Sequence, residues 1–311
     1  MVSLSNHDVA SSPFDGLRVS GWSTRPFHAK PYNVNGQIMT DEYQETNRLH
    51  WDGVAALHVA SELYDVESFK AGRNSLYQLE IDDIGPVDGR TLLHLQCHFG
   101  QDTLSWARLG ARVTGLDFSV EAIEAARTLA SEIGVEAEFV CANVYDAREA
   151  LDGRQFDAVY TGGGALVWLP DIDRWAEVAA ACVAPGGVLY LREFHPFSHI
   201  FDDEAESELR VRHPYFRPPE PLRYEGLGRG TYAVAAELEH DVTYEWAHSL
   251  GEVVTAIAQA GLQIEFLHEV DYTEFKQFPF MVEEPKGRWR LPEHAESVPL
   301  IYSLRARKPG A

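Results

Sequence analysis

A carboxylate that ends an apolar run marks the first place in this sequence where chemistry could occur. The largely apolar run Leu92 to Leu95 is followed by a break at Phe99-Gly100 and by helical spacing, and a second run, Val113 to Leu116, ends on Asp117. This pattern predicts a strand, a tight turn, a helix and a second strand. In an open parallel sheet, Asp117 would lie beside the turn after the first strand, where a carboxylate can accept both hydrogens of a ribose diol.

The turn Gln96-Cys97-His98-Phe99-Gly100 distinguishes between two nucleoside cofactors. A dinucleotide needs several glycines there, so that backbone amides and a helix N-terminus can approach its pyrophosphate. This turn has a single glycine, and the side chains of Gln96 and His98 would crowd a pyrophosphate. S-adenosyl-L-methionine carries no phosphate. The turn therefore predicts a methyl-donor site in which Gln96, His98 and Gly100 bind S-adenosyl-L-methionine, with S-adenosylhomocysteine as the product.

Further cofactor-binding residues are predicted near the ends of other strands. Asn143-Val144 follows the third predicted strand, where an amide and an apolar side chain could contact adenine, and Phe118 follows Asp117. Gly162 follows the fourth strand, and Arg73 could pair with the methionyl carboxylate. Competing explanations are a helix-capping carboxylate at Asp117, an Asx turn at Asn143, a sharp turn at Gly162 and a helix-surface arginine at Arg73.

The predicted catalytic residues follow the fifth strand, in Arg192-Glu193-Phe194-His195. His195 is the leading candidate for a general base, because an imidazole titrates near neutral pH. Glu193 could orient that imidazole or bind an amine on the substrate. A turn histidine bonded to backbone and a solvated carboxylate are the alternatives. Tyr43, Trp51 and Trp168 are the predicted aromatic wall for the acceptor. No HxH or HExxH spacing occurs, so no metal is expected.

Composition excludes several classes of partner. The 311 residues include 48 acidic and 26 basic side chains, a formal charge of −22. Such a surface repels nucleic acid and anionic membranes, since affinity for both rests on cationic contacts. No signal peptide or stretch of roughly 20 apolar residues is present, and the three cysteines form no CxxC pair. We therefore expect a cytoplasmic protein with a small-molecule substrate. The oligomeric state is left open, with a homodimer as one outcome.

Repeated strand–helix units predict an α/β fold with a doubly wound, mostly parallel sheet. We expect a flexible N-terminus and helical cap over residues 1–84 and a cofactor-binding domain over 85–311. Within that domain, the Pro-, Gly- and acid-rich stretch at about 196–248 would be a lid insertion after strand five. Helices are predicted at Val120 to Ile133, Trp168 to Cys182 and Leu250 to Ala260.

From Gly85 to Lys308, the sequence resembles class I S-adenosylmethionine-dependent methyltransferases. The family's first motif has an acidic residue and three alternating glycines, and the aligned positions here are His94, Gln96, His98 and Gly100. Asp117 matches the ribose-binding position and Asn143-Val144 the adenine side. Two further matches are Phe156-Asp157-Ala158-Val159 and Pro185-Gly186-Gly187. The turn LHLQCHFG resembles that of a group of bacterial methyltransferases. The resemblance implies a seven-stranded Rossmann-like sheet with an antiparallel last strand.

Three functional classes remain open from the sequence. The first is transfer of a methyl group to a nitrogen, oxygen or carbon of a small, aromatic or amine-bearing metabolite. The second is another enzyme, either a cyclase that uses the same cofactor or a nicotinamide-dependent oxidoreductase. The third is a protein that binds S-adenosylmethionine without catalysis.

Overall fold

The computed structural model describes residues 34–225, 231–285, 287–294 and 296–310. The chain divides into two compact units, Met1–Ile38 and Met39–Ala311. Of the first unit, only the backbone of residues 34–38 is described, as the first residues of a helix. The predicted flexible N-terminus therefore lies almost entirely outside the described residues. Residues 39–84 fall in the same unit as the sheet.

The helices and strands alternate through most of the second unit. The helices are α1 Val34–Val59, α2 Val66–Lys70, α3 Gln78–Ile84, α4 Gln101–Arg108, α5 Val120–Ile133, α6 Ala147–Ala150, α7 Ile172–Cys182 and α8 Leu250–Gln259. The strands are β1 Thr91–Leu95, β2 Arg112–Asp117, β3 Glu138–Cys141, β4 Phe156–Thr161, β5 Val183–Phe194, β6 Leu222–Glu225, β7 Val242–Glu245, β8 Gln263–Val270, β9 Val282–Glu284, β10 Arg288–Arg290 and β11 Ile301–Arg307.

Seven of these strands form one sheet in the order β3-β2-β1-β4-β5-β11-β8. The first five pair in parallel, whereas β11 is antiparallel to both β5 and β8. The predicted Rossmann-like sheet with an antiparallel last strand is confirmed. Because β1 lies between β2 and β4, the turns that follow these three strands meet at one edge of the sheet.

Apolar side chains on both faces of the central strands hold the helices against the sheet. Leu93 and Leu95 share a buried cluster with Trp175 of α7, whereas Leu92 shares another with Trp106 of α4. Adjacent residues of a strand point to opposite faces, so β1 needs apolar residues at nearly every position. A third cluster packs Ile123 of α5 beneath the turn after β1.

Local capping sets the ends of the helices that flank the site. Ser119 Oγ accepts a hydrogen bond from Ala122 N at 3.1 Å, and Gly134 ends α5 in the left-handed conformation, which agrees with the predicted helix Val120 to Ile133. The prediction of one helix from Trp168 to Cys182 is wrong at its start. Asp171 accepts from Arg174 N at 3.0 Å and begins α7 after Pro170. Leu166–Trp168 forms a separate 3₁₀ turn.

The described residues between β5 and α8 have little regular structure. It contains a short antiparallel hairpin of β6 and β7, whose register pairs Leu222 with Glu245 and Tyr224 with Thr243. A second small hairpin, β9 and β10, precedes β11. No described helix is both long and apolar enough to pass through a bilayer.

Candidate functional site

The turn between β1 and α4 has an unusual backbone. Gln96, His98 and Gly100 have φ angles of 59°, 50° and 76°. These are the three positions at which the resembled family has glycine. Two non-glycine residues in this region cost conformational energy, on the order of 1 kcal/mol or more each. The chain therefore keeps the backbone geometry of a glycine-rich turn while presenting side chains at two of its positions.

Backbone hydrogen bonds offset that strain. Cys97 N donates to Leu116 O of β2 at 3.0 Å, and His98 N donates to Asp117 Oδ2 at 2.8 Å. At Gly100 a side chain would not fit, because an added Cβ would lie 2.6 Å from Cε1 of Phe139. Gly100 is thus required by its φ angle and by packing.

Asp117 lies at the end of β2, as predicted, and its carboxylate organises the turns around it. Oδ2 accepts from His98 N, and Oδ1 accepts from Ser119 N at 2.9 Å. Ser119, not Asp117, caps α5, so the helix-cap explanation of Asp117 is wrong. Burial raises the pKa of Asp117 to about 6, although the backbone hydrogen bonds favour its ionised form. Each oxygen can still accept a further hydrogen bond from a ligand.

Phe118 and Asn143, at the ends of β2 and β3, line a small cavity of about 220 Å³ together with Gln44, Glu45 and Arg48 of α1. Asn143 Oδ1 accepts from Tyr145 N at 3.1 Å, which is the Asx-type contact anticipated as an alternative. The neighbouring Val144 lies in the core. The structure therefore brings Phe118 and Asn143 together with Asp117 and leaves Val144 behind the cavity wall.

Gln96 and Gly162 connect the turn after β1 with the chain after β4. Gln96 Nε2 donates to Ala165 O at 2.9 Å, and its Oε1 is buried without a hydrogen-bond partner. An unpaired buried acceptor is costly, so this oxygen is a candidate for contact with a donor on the cofactor. At Gly162 an added Cβ would lie 2.5 Å from the hydroxyl of Tyr160. Gly162 is therefore required for packing beside the site.

His98 contacts α1 through a second histidine, His58, that the sequence analysis missed. His98 Nε2 lies 2.9 Å from Nδ1 of His58, on α1. Burial lowers the pKa of His98 to about 3 and that of His58 to about 4, so both rings are uncharged at neutral pH. His58 could have been found from spacing, because Trp51 lies seven residues before it on the same helix face. Both rings contact Trp51 edge to face.

The predicted catalytic pair does not form. Glu193 accepts hydrogen bonds from the backbone nitrogens of residues 164, 165 and 166 at 2.7, 2.8 and 3.0 Å. His195 Nε2 lies 2.9 Å from Glu269 Oε1, and its Nδ1 accepts from Phe197 N at 3.1 Å. Glu193 therefore shapes the loop after β4 and does not orient His195. Both ring nitrogens of His195 are occupied, which corresponds to the turn histidine considered as the alternative.

Arg73 also makes contacts that differ from the predicted role. Its guanidinium donates to the backbone oxygens of Tyr64 and Asp65, before α2, and lies 3.9 Å from the Asp65 carboxylate. These bonds fix the connection between α1 and α2. Because Gln101 Nε2 also donates to Tyr64 O at 2.9 Å, the same connection is fixed to the start of α4.

A larger cavity of about 670 Å³ opens beside these turns. It is bounded by α1, the 3₁₀ turn after β4, the end of β5, and the β6–β7 hairpin. Its lining includes the rings of Trp51, Trp168, Phe194, Tyr215, Tyr224, Tyr232, Trp246 and Phe275. Trp51 and Trp168 meet edge to face with centroids 5.2 Å apart. Tyr43 lies behind this wall, with its ring centroid 4.3 Å from that of Tyr244.

The structure thus brings Trp51 and Trp168 to the cavity but not Tyr43, whose neighbour Trp246 lines it instead. His195 is absent from the described lining. Within the described part of the chain, no three His, Cys, Asp or Glu side chains are grouped so as to hold a metal ion.

Comparison with known proteins identifies the region that contains the turn and Asp117. Residues 93–189 match the family model described as a methyltransferase domain. Over these residues the chain is similar to methyltransferase domains. The matched region runs from β1 to β5, so it includes Gln96, Asp117 and Asn143. Helices α1 to α3, the β6–β7 hairpin and the last strands lie outside it.

Relatives support the same assignment. A ubiquinone biosynthesis O-methyltransferase of Salmonella arizonae is 33% identical over 136 residues, which are 42% of this chain and 55% of that enzyme. The chain thus spans about half the length of this curated relative. A Bordetella avium protein of the same name is 26% identical over 70% of this chain and 83% of its own length. An S-adenosylmethionine-dependent methyltransferase from Mesorhizobium loti shares the fold, with a TM-score of 0.53 and 18% identity over 77% of this chain and all of that one.

Proposed function

We propose that this protein transfers the methyl group of S-adenosyl-L-methionine to a small molecule bound in the larger cavity. The observation that carries the proposal is the turn of residues 96–100, whose left-handed backbone is hydrogen-bonded to Asp117 at the edge of the sheet. That turn lies next to Trp51, which is part of the cavity wall. The turn of residues 96–100 thus lies between the proposed nucleoside site at Asp117 and the larger, aromatic-lined cavity.

The residues at this edge fit the cofactor. Asp117 has acceptor capacity for a ribose diol, and Gln96 Oε1 is a buried acceptor that lacks a donor. Phe118 and Asn143 bound a cavity in which adenine would lie. Arg73 and Val144 are not included in this set, because their contacts hold backbone and core. When bound, S-adenosyl-L-methionine supplies a methyl carbon made electrophilic by its sulfonium.

The protein positions the acceptor and excludes water from it. Trp51 and Trp168 form part of a wall against which a flat acceptor can lie, and residues of the β6–β7 hairpin also line the cavity. Holding a nucleophile in line with the methyl group can supply about 7–11 kcal/mol of the barrier in favourable cases. The nucleophile's electron pair forms the new bond to carbon, and the carbon–sulfur pair remains on sulfur. His195 and Glu193 have no base or orienting role in this proposal, because their hydrogen bonds go to Glu269, Phe197 N and the loop after β4.

The test combines binding with turnover. Isothermal titration calorimetry should show S-adenosylhomocysteine binding, and a panel of phenols, amines and carbon acids should yield labelled product from methyl-labelled cofactor. Trp168→Ala should lower turnover without changing S-adenosylhomocysteine affinity. Binding without product from any acceptor would favour a cyclase or a non-catalytic binder. Tight NAD(H) binding without S-adenosylhomocysteine binding would refute the proposal.

The remaining sequence-based expectations stay predictions. They comprise a cytoplasmic location, no nucleic-acid or membrane partner, a homodimer as one oligomeric outcome, and a subdivision of the chain at residue 85. The formal charge of −22 supports the second of these.

A further inference from the structure

The β6–β7 hairpin turns one face to the larger cavity. Successive residues of a strand alternate between faces, and Leu222, Tyr224, Thr243 and Glu245 all line the cavity. The cross-strand neighbour of Glu245 on this face is Leu222, which cannot neutralise a carboxylate. No ion pair joins Glu245 to a basic side chain in the described ranges. Burial, with the nearby charge of Asp203, raises the pKa of Glu245 to about 7.

The described lining has an excess of negative charge. Its carboxylates are Glu193, Asp203, Glu204, Glu225, Asp241 and Glu245, and its one guanidinium is that of Arg212. Arg212 is already paired with Asp202 and Glu204, at 2.7 and 3.3 Å.

The histidines of the lining do not balance this charge. They are His50, His58, His199, His213 and His248. Burial lowers the pKa of each of them, to about 4 in the cases of His58, His199 and His248. All five rings are therefore uncharged at neutral pH and supply no positive charge to the wall.

Two lining residues also have buried acceptors that lack donors. His248 is 6% exposed, and its Nε2 lies 2.7 Å from Leu169 O. A carbonyl can only accept, so Nε2 carries the proton and Nδ1 is an acceptor without a partner. Gln277 donates through Nε2 to Ser198 Oγ at 3.3 Å, and its Oε1 is likewise unpartnered. These atoms and the carboxylate of Glu245 all require a donor. An ammonium group has three donors and no acceptor.

We propose that the acceptor is an arylalkylamine bound as its cation, with the ammonium group held by Glu245 and the ring against the aromatic wall. The protonated nitrogen has no free electron pair, so a different atom of this molecule accepts the methyl group. The assignment rests on the proposed function and deepens it. Burial raises the pKa of the Tyr224 hydroxyl, and the nearby carboxylates of Glu245 and Asp203 raise it further. Its ring lines the same cavity as Glu245, and aromatic rings bind alkylammonium groups over their faces. An anionic acceptor would meet several unpaired carboxylates and no free cation among the described lining residues.

Three probes of similar shape test which charge on the acceptor the cavity prefers. Tyramine carries an ammonium group, 4-ethylphenol lacks it, and 3-(4-hydroxyphenyl)propanoate carries a carboxylate instead. Their binding is measured by calorimetry on the full chain at about pH 8, where the amine is protonated and Glu245 is ionised. Tyramine should bind about tenfold or more tightly than 4-ethylphenol, and the propanoate should bind most weakly.

Glu245→Gln keeps the shape of the side chain and removes its charge. This variant should lower tyramine affinity to that of 4-ethylphenol and leave 4-ethylphenol binding unchanged, which also shows that the cavity is intact. Glu239→Gln removes an exposed carboxylate of the same segment that is not in the lining, and should change neither affinity.

Several results would overturn the assignment. They are equal binding of tyramine and 4-ethylphenol, tightest binding of the propanoate, no tyramine binding up to about 10 mM, or an unchanged tyramine affinity in Glu245→Gln. Each titration is run with and without saturating S-adenosylhomocysteine. Loss of S-adenosylhomocysteine binding contradicts the proposed function, whereas loss of charge discrimination contradicts only the amine assignment.

Discussion

The affinity of the cofactor product should depend on pH through Asp117. Burial raises the pKa of this carboxyl to about 6, above an unfolded value of about 3.9. A ribose diol donates to the ionised form, so a proton bound to Asp117 competes with the nucleoside. S-adenosylhomocysteine affinity should therefore be level above about pH 6.5 and fall below it. At about pH 5 the loss should be about tenfold, or about 1.4 kcal/mol, relative to pH 7.

Asp117→Asn removes the titrating group. At pH 7 it should weaken S-adenosylhomocysteine binding by about 1–3 kcal/mol, because a charge-assisted acceptor is lost. Its affinity should show no step between about pH 5 and 7. Asp173→Asn, at an exposed position in the first turn of α7, is the matched control and should retain the wild-type profile. Calorimetric titrations at half-unit pH intervals measure both quantities.

The raised pKa of Asp117 can also be tested without ligand, through the pH dependence of stability. Since the folded pKa of Asp117 is raised, the unfolded chain loses this proton first as pH rises. The contribution of this group to stability should therefore decrease from about pH 4 to about pH 6 and then stay constant. The difference in unfolding free energy between wild type and Asp117→Asn, from urea titrations, should follow that curve. A wild-type binding profile without a step at acid pH would refute the placement of the ribose at Asp117.

Three other substitutions separate structural from catalytic roles. His195→Gln should lower the free energy of unfolding by about 1 kcal/mol through loss of the Glu269 contact, while the pH–rate profile keeps its shape; a changed profile would restore His195 as the base. Glu193→Gln should cost about 1–3 kcal/mol in urea unfolding, because an amide nitrogen would face one of three backbone donors, and an unchanged midpoint would contradict this. Gly100→Ala should prevent stable folding or lower the melting temperature strongly, because its Cβ would overlap Phe139, whereas Gly153→Ala, with a similar φ angle and no close neighbour, should cost only about 1 kcal/mol.

Local sequence determined most of the fold. Apolar runs placed β1 and β2, Ser119 and Gly134 set the ends of α5, and the order of strand–helix units indicated a parallel sheet. These features depend on residues a few positions apart, so they can be read without knowing which distant segments meet. The start of α7 was misplaced because the side chain of Asp171 caps its own helix more effectively than the pattern around Trp168 suggested.

The predicted cofactor site was also largely determined by the sequence, because the register of a parallel sheet brings the ends of β1 and β2 together. Asp117 and the turn after Leu95 lie together for that reason. The lining of the larger cavity, the proposed acceptor site, was decided only by tertiary structure. His58, Glu245 and their neighbours come from segments separated by almost two hundred residues in the chain. No local periodicity predicts which face of a hairpin turns toward a cavity. Equally, no local pattern shows that Glu193 will be bound by backbone amides, since that depends on how the chain folds back after β4.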